Sequence, residues 1–217
     1  MPVKVYKPNR AARKNMSIVD RSHLHKGAPV KQLTTSRTKV SGRGSAGKIT
    51  IRHRGAGVRR LQRVIDFGQD KLGKKAKVER VEFDPNRSAH LALVLFEDGE
   101  RRYVPAWDGA KEGVQVEVAE KAAERDGNRM QLQNITPGLT VFNVEIQPGR
   151  GGKLFRSAGA YGIVMDVQEE HAQLKMPSGE VRLIPKTCYA TIGKASNPDH
   201  RLQKMGSAGR MRRLGRR

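Results

Sequence analysis

Charge in this chain is segregated along its length, and that limits where a core can form. Up to Arg60 there are sixteen Lys and Arg residues against one acid, Asp20. From Gly193 to the end there are eight against one, Asp199. Between Leu61 and Ile192 the two signs balance at nineteen each. A one-sided charge run repels itself and orders against a polyanion rather than against its own chain. The sequence therefore divides into a foldable middle and two basic arms, an extended one over 1–60 and a C-terminal one over 195–217. Charge balance predicts that the middle folds without the N-terminal arm. A formal net charge of +22 calls for nucleic acid or an anionic surface as partner.

Other classes find little support. The single cysteine, Cys188, excludes a disulfide within the chain and fits a reducing compartment. No apolar run approaches eighteen residues, so no transmembrane helix and no membrane partner are expected. The N-terminus has basic residues but no apolar stretch of a signal peptide. Cys188, Ser157 and Ser88 have no nucleophile motif around them. Most acids read as solvated strand faces beside basic residues. His23 and His25 lack the Cys or acid cluster of a metal site and read as solvated loop histidines. We expect no enzyme and no cofactor.

Gly42 to Lys48 matches both G-x-x-x-x-G-K and G-x-G-x-x-G. A phosphate loop would continue with Ser or Thr, follow a hydrophobic strand and open a helix. Here Ile49 follows, Leu33 to Val40 is polar, and Ile49-Thr50-Ile51 favours a strand. Its glycines with Arg43 and Lys48 fit RNA threading better. Arg52, His53, Arg54, Arg59 and Arg60 form a dense basic knot suited to phosphate or base contacts. Pro2, Pro8, Pro29 and scattered glycines leave room in the arm for only one or two short strands, such as Lys48 to His53.

The middle reads as β. Arg63 to Phe67 alternates loosely. Val78 stands apart from the Val81/Phe83 pair in Lys77 to Phe83, which predicts a kink near Arg80. His90 to Phe96 is an apolar run, Asp98-Gly99 a hairpin turn, Arg101 to Val104 the return, and Val114 to Val118 a half-buried strand. Five short strands predict a small barrel over 61–127. After a polar connection, Gly127 to Asn134, come Leu139 to Ile146, Tyr161 to Val167, His171 to Met176, Glu180 to Ile184 and Ala190 to Ile192. Pro185 should end the fourth of these. They predict a second barrel, SH3-like, over 128–194. Asn197-Pro198 reads as a cap and first turn of a short helix to Met205. The tail beyond carries Arg210, Arg212 and Arg213.

Two loops carry candidate contacts. Asp84-Pro85-Asn86-Arg87-Ser88 is a turn that holds Arg87 at the barrel mouth. Pro148 to Gly162 is glycine-rich and holds Arg150, Lys153 and Arg156 with no acid. Glycines there allow close backbone approach, which suits a loop docking against folded RNA. A guanidinium can fork onto phosphate or guanine. Phe155 and Tyr161 can stack on a base or enter the core.

These residues resemble the bacterial-type ribosomal protein L-two family of the large subunit. The matching stretches include Leu24-His-Lys-Gly27, Gly47-Lys-Ile-Thr-Ile-Arg-His53, Val64-Ile-Asp-Phe67 and Asp84-Pro-Asn-Arg-Ser-Ala89. They continue through Asp98-Gly-Glu-Arg-Arg-Tyr103, Val141-Phe-Asn-Val-Glu145 and Pro148 to Gly159. The resemblance covers essentially the whole chain. It implies a mainly β protein of two tandem small barrels, an oligonucleotide-binding (OB) fold and then an SH3-like one, with basic extensions. It also implies a structural role on large-subunit (23S-type) rRNA around the peptidyl-transferase centre, in subunit association and in translation. Implied partners are neighbouring ribosomal proteins and, at the intersubunit side, the small subunit; the implied location is a cytoplasmic, or else organellar, ribosome. The family's loop arginines fall on Arg87 and Arg156, to which the resemblance gives an RNA-binding role. The family's glycine- and histidine-rich extension, with its R-G-T-x-M-N-P-x-D-H-P signature, has no counterpart before Arg217. A free RNA-binding regulator or RNA chaperone on the same barrels is the alternative. Some sixty basic residues unable to fold alone argue against it.

Overall fold

The computed structural model describes residues 3–36 and 41–216. β1 (Val3–Val5) and β2 (Ser17–Val19) form a hairpin, and β3 (Thr34–Ser36) pairs with β4 (Leu61–Arg63). The remaining strands make one sheet that passes through both barrels. The first barrel contributes β5 (Lys74–Glu82), β6 (Leu91–Phe96), β7 (Arg101–Pro105) and β8 (Gln115–Val118). The second contributes β9 (Arg129–Gln131), β10 (Thr140–Phe142), β11 (Gly162–Val167), β12 (His171–Lys175), β13 (Val181–Pro185) and β14 (Tyr189–Ile192). The order is β13-β12-β11-β10-β14-β9-β8-β5-β6-β7. Every neighbouring pair is antiparallel except β8 and β9, which meet in parallel at Val118 and Arg129.

Local sequence explains most of this. Val116 and Val118 of β8 are buried and alternate with exposed or half-buried neighbours. The expected kink in β5 is a bulge between Val78 and Arg80, so Val78 and Val81 both reach the core despite their spacing. β6 is a continuous apolar run because both of its faces are covered. Ala92, Val94 and Phe96 enter the main core, while Leu91 and Leu93 pack with Tyr103 under Val30, Leu33 and Ile65.

That cover comes partly from the basic arm, so the arm is more than an extended tail. Val30 N–H donates to the Tyr103 hydroxyl, His25 N–H to the Val81 carbonyl, and Leu24 is buried in the main core. The prediction that the middle stands without residues 1–60 overlooked this packing. Elsewhere Lys48 to His53 forms a looped turn, with Thr50 N–H donating to the Gly42 carbonyl, and not a strand. No helix follows Lys48, so a phosphate loop is excluded there on geometry; positions 37–40 of the preceding segment lie outside the described residues.

Other expectations shift. Arg63 to Phe67 splits: Arg63 ends β4, while Ile65 bridges in parallel to Tyr103. The long strand expected at Leu139 to Ile146 stops at Phe142, because Asn143 adopts φ +49. The polar connection at 127–134 contains β9. The helix expected from Pro198 to Met205 is a 3-10 turn, Pro198–Leu202, and the left-handed Asn197 supplies no side-chain cap. The one α-helix of the described residues, α1 (Ala208–Arg213), lies in the tail behind a Ser207 cap. Nor are the acids all solvated: Glu82, Asp84 and Glu145 are buried. Glu82 accepts from the Tyr103 hydroxyl at 2.9 Å and pairs with Arg80 and Arg63.

His90 at the start of β6 is 1% exposed, and neither ring nitrogen finds a partner among the described residues. Burial, with His23, Arg21 and His200 nearby, pushes its pKa from 6.5 down to about 4. The folded state then binds fewer protons than the unfolded one between those values. Stability is therefore expected to fall as pH drops through that window and to level off below it. Denaturation midpoints across the window test this, and His90→Leu should flatten the slope.

Candidate nucleic-acid interface

The two candidate loops leave different barrels and meet on one ring. Arg87 lies with its guanidinium carbon 4.8 Å from the centroid of Phe67, and Arg156 lies at 4.6 Å from the same centroid. Asp84 shapes the first loop: it accepts from Asn86 N–H at 2.9 Å and approaches Arg87 Nε at 3.7 Å. Asn86 is tied to the Leu61 carbonyl, and Arg60 donates to the Pro85 carbonyl at 2.9 Å. Arg87 is thus half-buried and directed, not a solvated turn residue. Burial pushes its pKa down, against the pull of Asp84 and with the push of Arg156.

The second loop owes its path to close backbone contacts. Gly152 N–H donates to the Phe67 carbonyl at 3.0 Å, and a side chain on Gly151 would meet Gly68 N at 3.3 Å. The close approach predicted for these glycines is made by the chain's own backbone. A Cβ on Gly152 would fall 2.5 Å from Asn143 Cγ and closer still to that residue's oxygens. Gly152→Ala is therefore expected to cost about 1–3 kcal/mol in thermal or chemical denaturation. Gly149, with open space around it, should tolerate asparagine much better. Phe155 is buried at φ +52, a strained setting for a bulky residue, immediately before Arg156. It packs into the core where Gly162 leaves room, while Tyr161 carries Lys194 Nζ 4.7 Å from its ring centroid.

A seam between the barrels fixes the two loops relative to each other. Ala158 N–H donates to Ser88 Oγ at 3.1 Å, and Asn197 Nδ2 donates to the Ser88 carbonyl at 2.7 Å. His90 N–H donates to Ser196 Oγ at 2.8 Å. Asp66, the acid beside Phe67, is engaged by Arg102 at 2.7 Å. Arg156 has no ion pair among the described residues, so its charge is available.

The remaining candidates lie on the glycine-rich loop, in two clefts, on the 41–54 loop and in α1. Arg150 and Lys153 are exposed on the glycine-rich loop itself. Arg43, with Arg212 and Arg216 of the tail, lines a cleft of about 400 Å³ floored by Gly55, Ala56 and Gly57. Arg59, Arg60 and Arg213 line a second cleft of about 550 Å³ with His25, Lys26 and Pro85. The basic arms come together because they pair: Gly55 N–H donates to the Gly215 carbonyl and Val58 N–H to the Arg213 carbonyl, both at 2.9 Å. Arg54 bridges to Arg216. Lys48, Arg52 and His53 sit exposed on the 41–54 loop, with His53 at φ +62. Arg210 lies in the first turn of α1, where its N–H donates to Ser207 Oγ.

Two family models match successive parts of the chain. Residues 30–118 match the model for Ribosomal Proteins L2, RNA binding N-terminal domain, and residues 125–217 that for Ribosomal Proteins L2, C-terminal domain. The chain belongs to the uL2 family of large ribosomal subunit proteins. Relatives called large ribosomal subunit protein uL2 span all of it. That of Phenylobacterium zucineum is 46% identical over 217 residues, that of Acidiphilium cryptum 48% and that of Rhodospirillum rubrum 44%. In each case the alignment covers 100% of this chain and 78% of the relative.

In this chain, sequence reasoning missed Phe67, the ring shared by both arginines, because it read only as the end of a strand. It also missed Arg21, stacked 3.7 Å over Phe83, and the tail's Arg216. An aromatic followed by Gly68, between the basic knot at 52–60 and the Arg87 turn, was the available signal for Phe67.

Proposed function

We propose that this uL2-family chain is a structural constituent of the large ribosomal subunit that grips 23S-type rRNA with Arg87 and Arg156. The observation that carries this reading is their convergence on Phe67. Two planar guanidiniums held against one ring, with Asp66 engaged elsewhere, present forked donors to phosphate or to a base edge. Arg150 and Lys153 extend the contact, and the paired arms add Arg43, Lys48, Arg52, His53, Arg54, Arg59, Arg60, Arg210, Arg212 and Arg213 as a basic surface. A rigid two-barrel body with such arms suits RNA architecture near the peptidyl-transferase centre and at the intersubunit side. There it would meet neighbouring proteins and the small subunit in a cytoplasmic ribosome. The function is binding rather than catalysis.

Salt dependence tests the electrostatic part. Affinity for a large-subunit rRNA fragment should fall by roughly 0.9 log units per log unit of salt for each neutralised phosphate, taking duplex DNA as guide. A titration with little salt dependence would sink this reading.

A further inference from the structure

The far end of the sheet has a different character from the rest of the chain. β13 is an edge strand, paired among the described residues only with β12. Its hydrogen-bonded pairs follow from the flanking bonds: Met176 N–H donates to the Glu180 carbonyl and Lys186 N–H to the Glu170 carbonyl. Alternation along an antiparallel ladder then gives Leu174 with Arg182 and Ala172 with Ile184 as bonded pairs. The backbone groups of Val181 and Leu183 therefore point away from β12, toward the open edge. Their side chains are 51% and 61% exposed, and Met165 of β11 is 47% exposed. Natural edges are usually blunted by charge. This one offers two free backbone positions beneath aliphatic side chains, and Pro185 stops pairing at its end.

The charge around this edge opposes that of the whole molecule. From Gly162 to Lys186 there are four acids, Asp166, Glu169, Glu170 and Glu180, against Lys175, Arg182 and Lys186. Arg182 is already paired with Glu180 at 3.1 Å. Asp166, Glu169 and Glu170 have no ion-pair partner among the described residues. Asp166 lies in the same cross-strand row as Gln173 and Leu183. Phosphate is repelled by such a surface, whereas lysine and arginine are drawn to it.

We propose that the open edge of β13 is a docking strip for an extended, basic polypeptide segment of another protein. The segment adds a strand to β13, lays aliphatic side chains against Val181 and Leu183, and aims its cations at Glu169 and Glu170, in the turn whose Glu170 carbonyl meets Lys186 at the end of the strand. This surface is separate from the Arg87/Arg156 site, so its test does not depend on rRNA binding.

The probe is a fluorescein-labelled peptide of alternating lysine and valine, titrated with the full chain by anisotropy. Saturable binding is expected despite the like net charges, and none with an alternating glutamate and valine peptide. Leu183→Lys adds a repelling charge at an exposed position, and Val181→Pro removes an outward N–H; each should weaken binding about tenfold. Unchanged melting temperatures in both variants exclude unfolding as the cause. Arg156→Ala should leave peptide binding unaltered. Equal binding by Leu183→Lys and the native chain would overturn the proposal. So would displacement of the peptide by a single-stranded RNA oligonucleotide. A concentration-dependent dimer abolished by Leu183→Lys would assign the edge to a second copy and also overturn it.

Discussion

Arg129→Ala is expected to destabilise the protein by about 3–5 kcal/mol, because it strands a buried carboxylate. Arg129 is fully buried on β9; its Nη2 donates to Glu145 Oε1 at 2.9 Å and its Nη1 to the Asn143 carbonyl at 2.7 Å. Glu145, itself 2% exposed, also accepts from Gly149 N–H and Tyr189 N–H, both at 3.2 Å. Burial pushes the arginine's pKa down against the pull of Glu145. Removing the cation leaves Glu145 with two amide donors and no counter-charge in a dry site. The backbone it holds, Gly149, leads directly into the loop that carries Arg156, so loss of RNA affinity should accompany loss of stability. Urea denaturation of the full chain measures the effect. The double variant Arg129→Met, Glu145→Leu should recover part of the loss, since no lone charge remains. A single-variant cost within the range of a surface substitution, about 0.5 kcal/mol, would contradict this role.

That pair also shows why part of the fold was not legible in the sequence. Strands with alternating or continuous apolar residues, such as β6 and β8, announced themselves. β9 did not, because its buried face includes a charged side chain whose partner lies sixteen positions away, beyond the end of β10. The limits of β10 were hidden for a related reason: Asn143 turns left-handed so that its carbonyl can meet Arg129, a tertiary demand. The 3-10 turn after Asn197 is likewise set by the Asn197 bond to the Ser88 carbonyl and not by a local cap. At the site, arginines in turn-rich loops could be picked out one by one. Their meeting on Phe67 needed the seam of Ser88, Ala158 and Asn197, which joins residues 70 and 109 positions apart. The pairing of the two basic arms was invisible for the same reason, since like charges along a sequence suggest repulsion and not adjacency.

Arg87→Ala and Arg156→Ala are each expected to weaken binding to the cognate rRNA fragment by roughly ten- to a hundredfold, the equivalent of one charge-assisted hydrogen bond of about 1.5–3 kcal/mol. Neither side chain lines the apolar core, so thermal stability should barely move. Lysine should restore little at either position, because an ammonium neither stacks flat on Phe67 nor forks onto a phosphate. Phe67→Leu should cost affinity as well, by removing the face that holds both guanidiniums in place. Because the two arginines share one ring and push on each other's charge, their effects should not be independent; the double variant should lose less than the product of the single losses.

The most direct measurement compares Arg156→Ala with Arg13→Ala in one rRNA titration at fixed salt. Arg13 is one cation among many in the arm, 5.6 Å from the Tyr6 ring centroid. A grip centred on Phe67 predicts that losing Arg156 costs at least several times more affinity than losing Arg13. Equal losses at the two positions would mean that binding is a diffuse attraction to a basic surface, and that the convergence on Phe67 is not where the RNA is held.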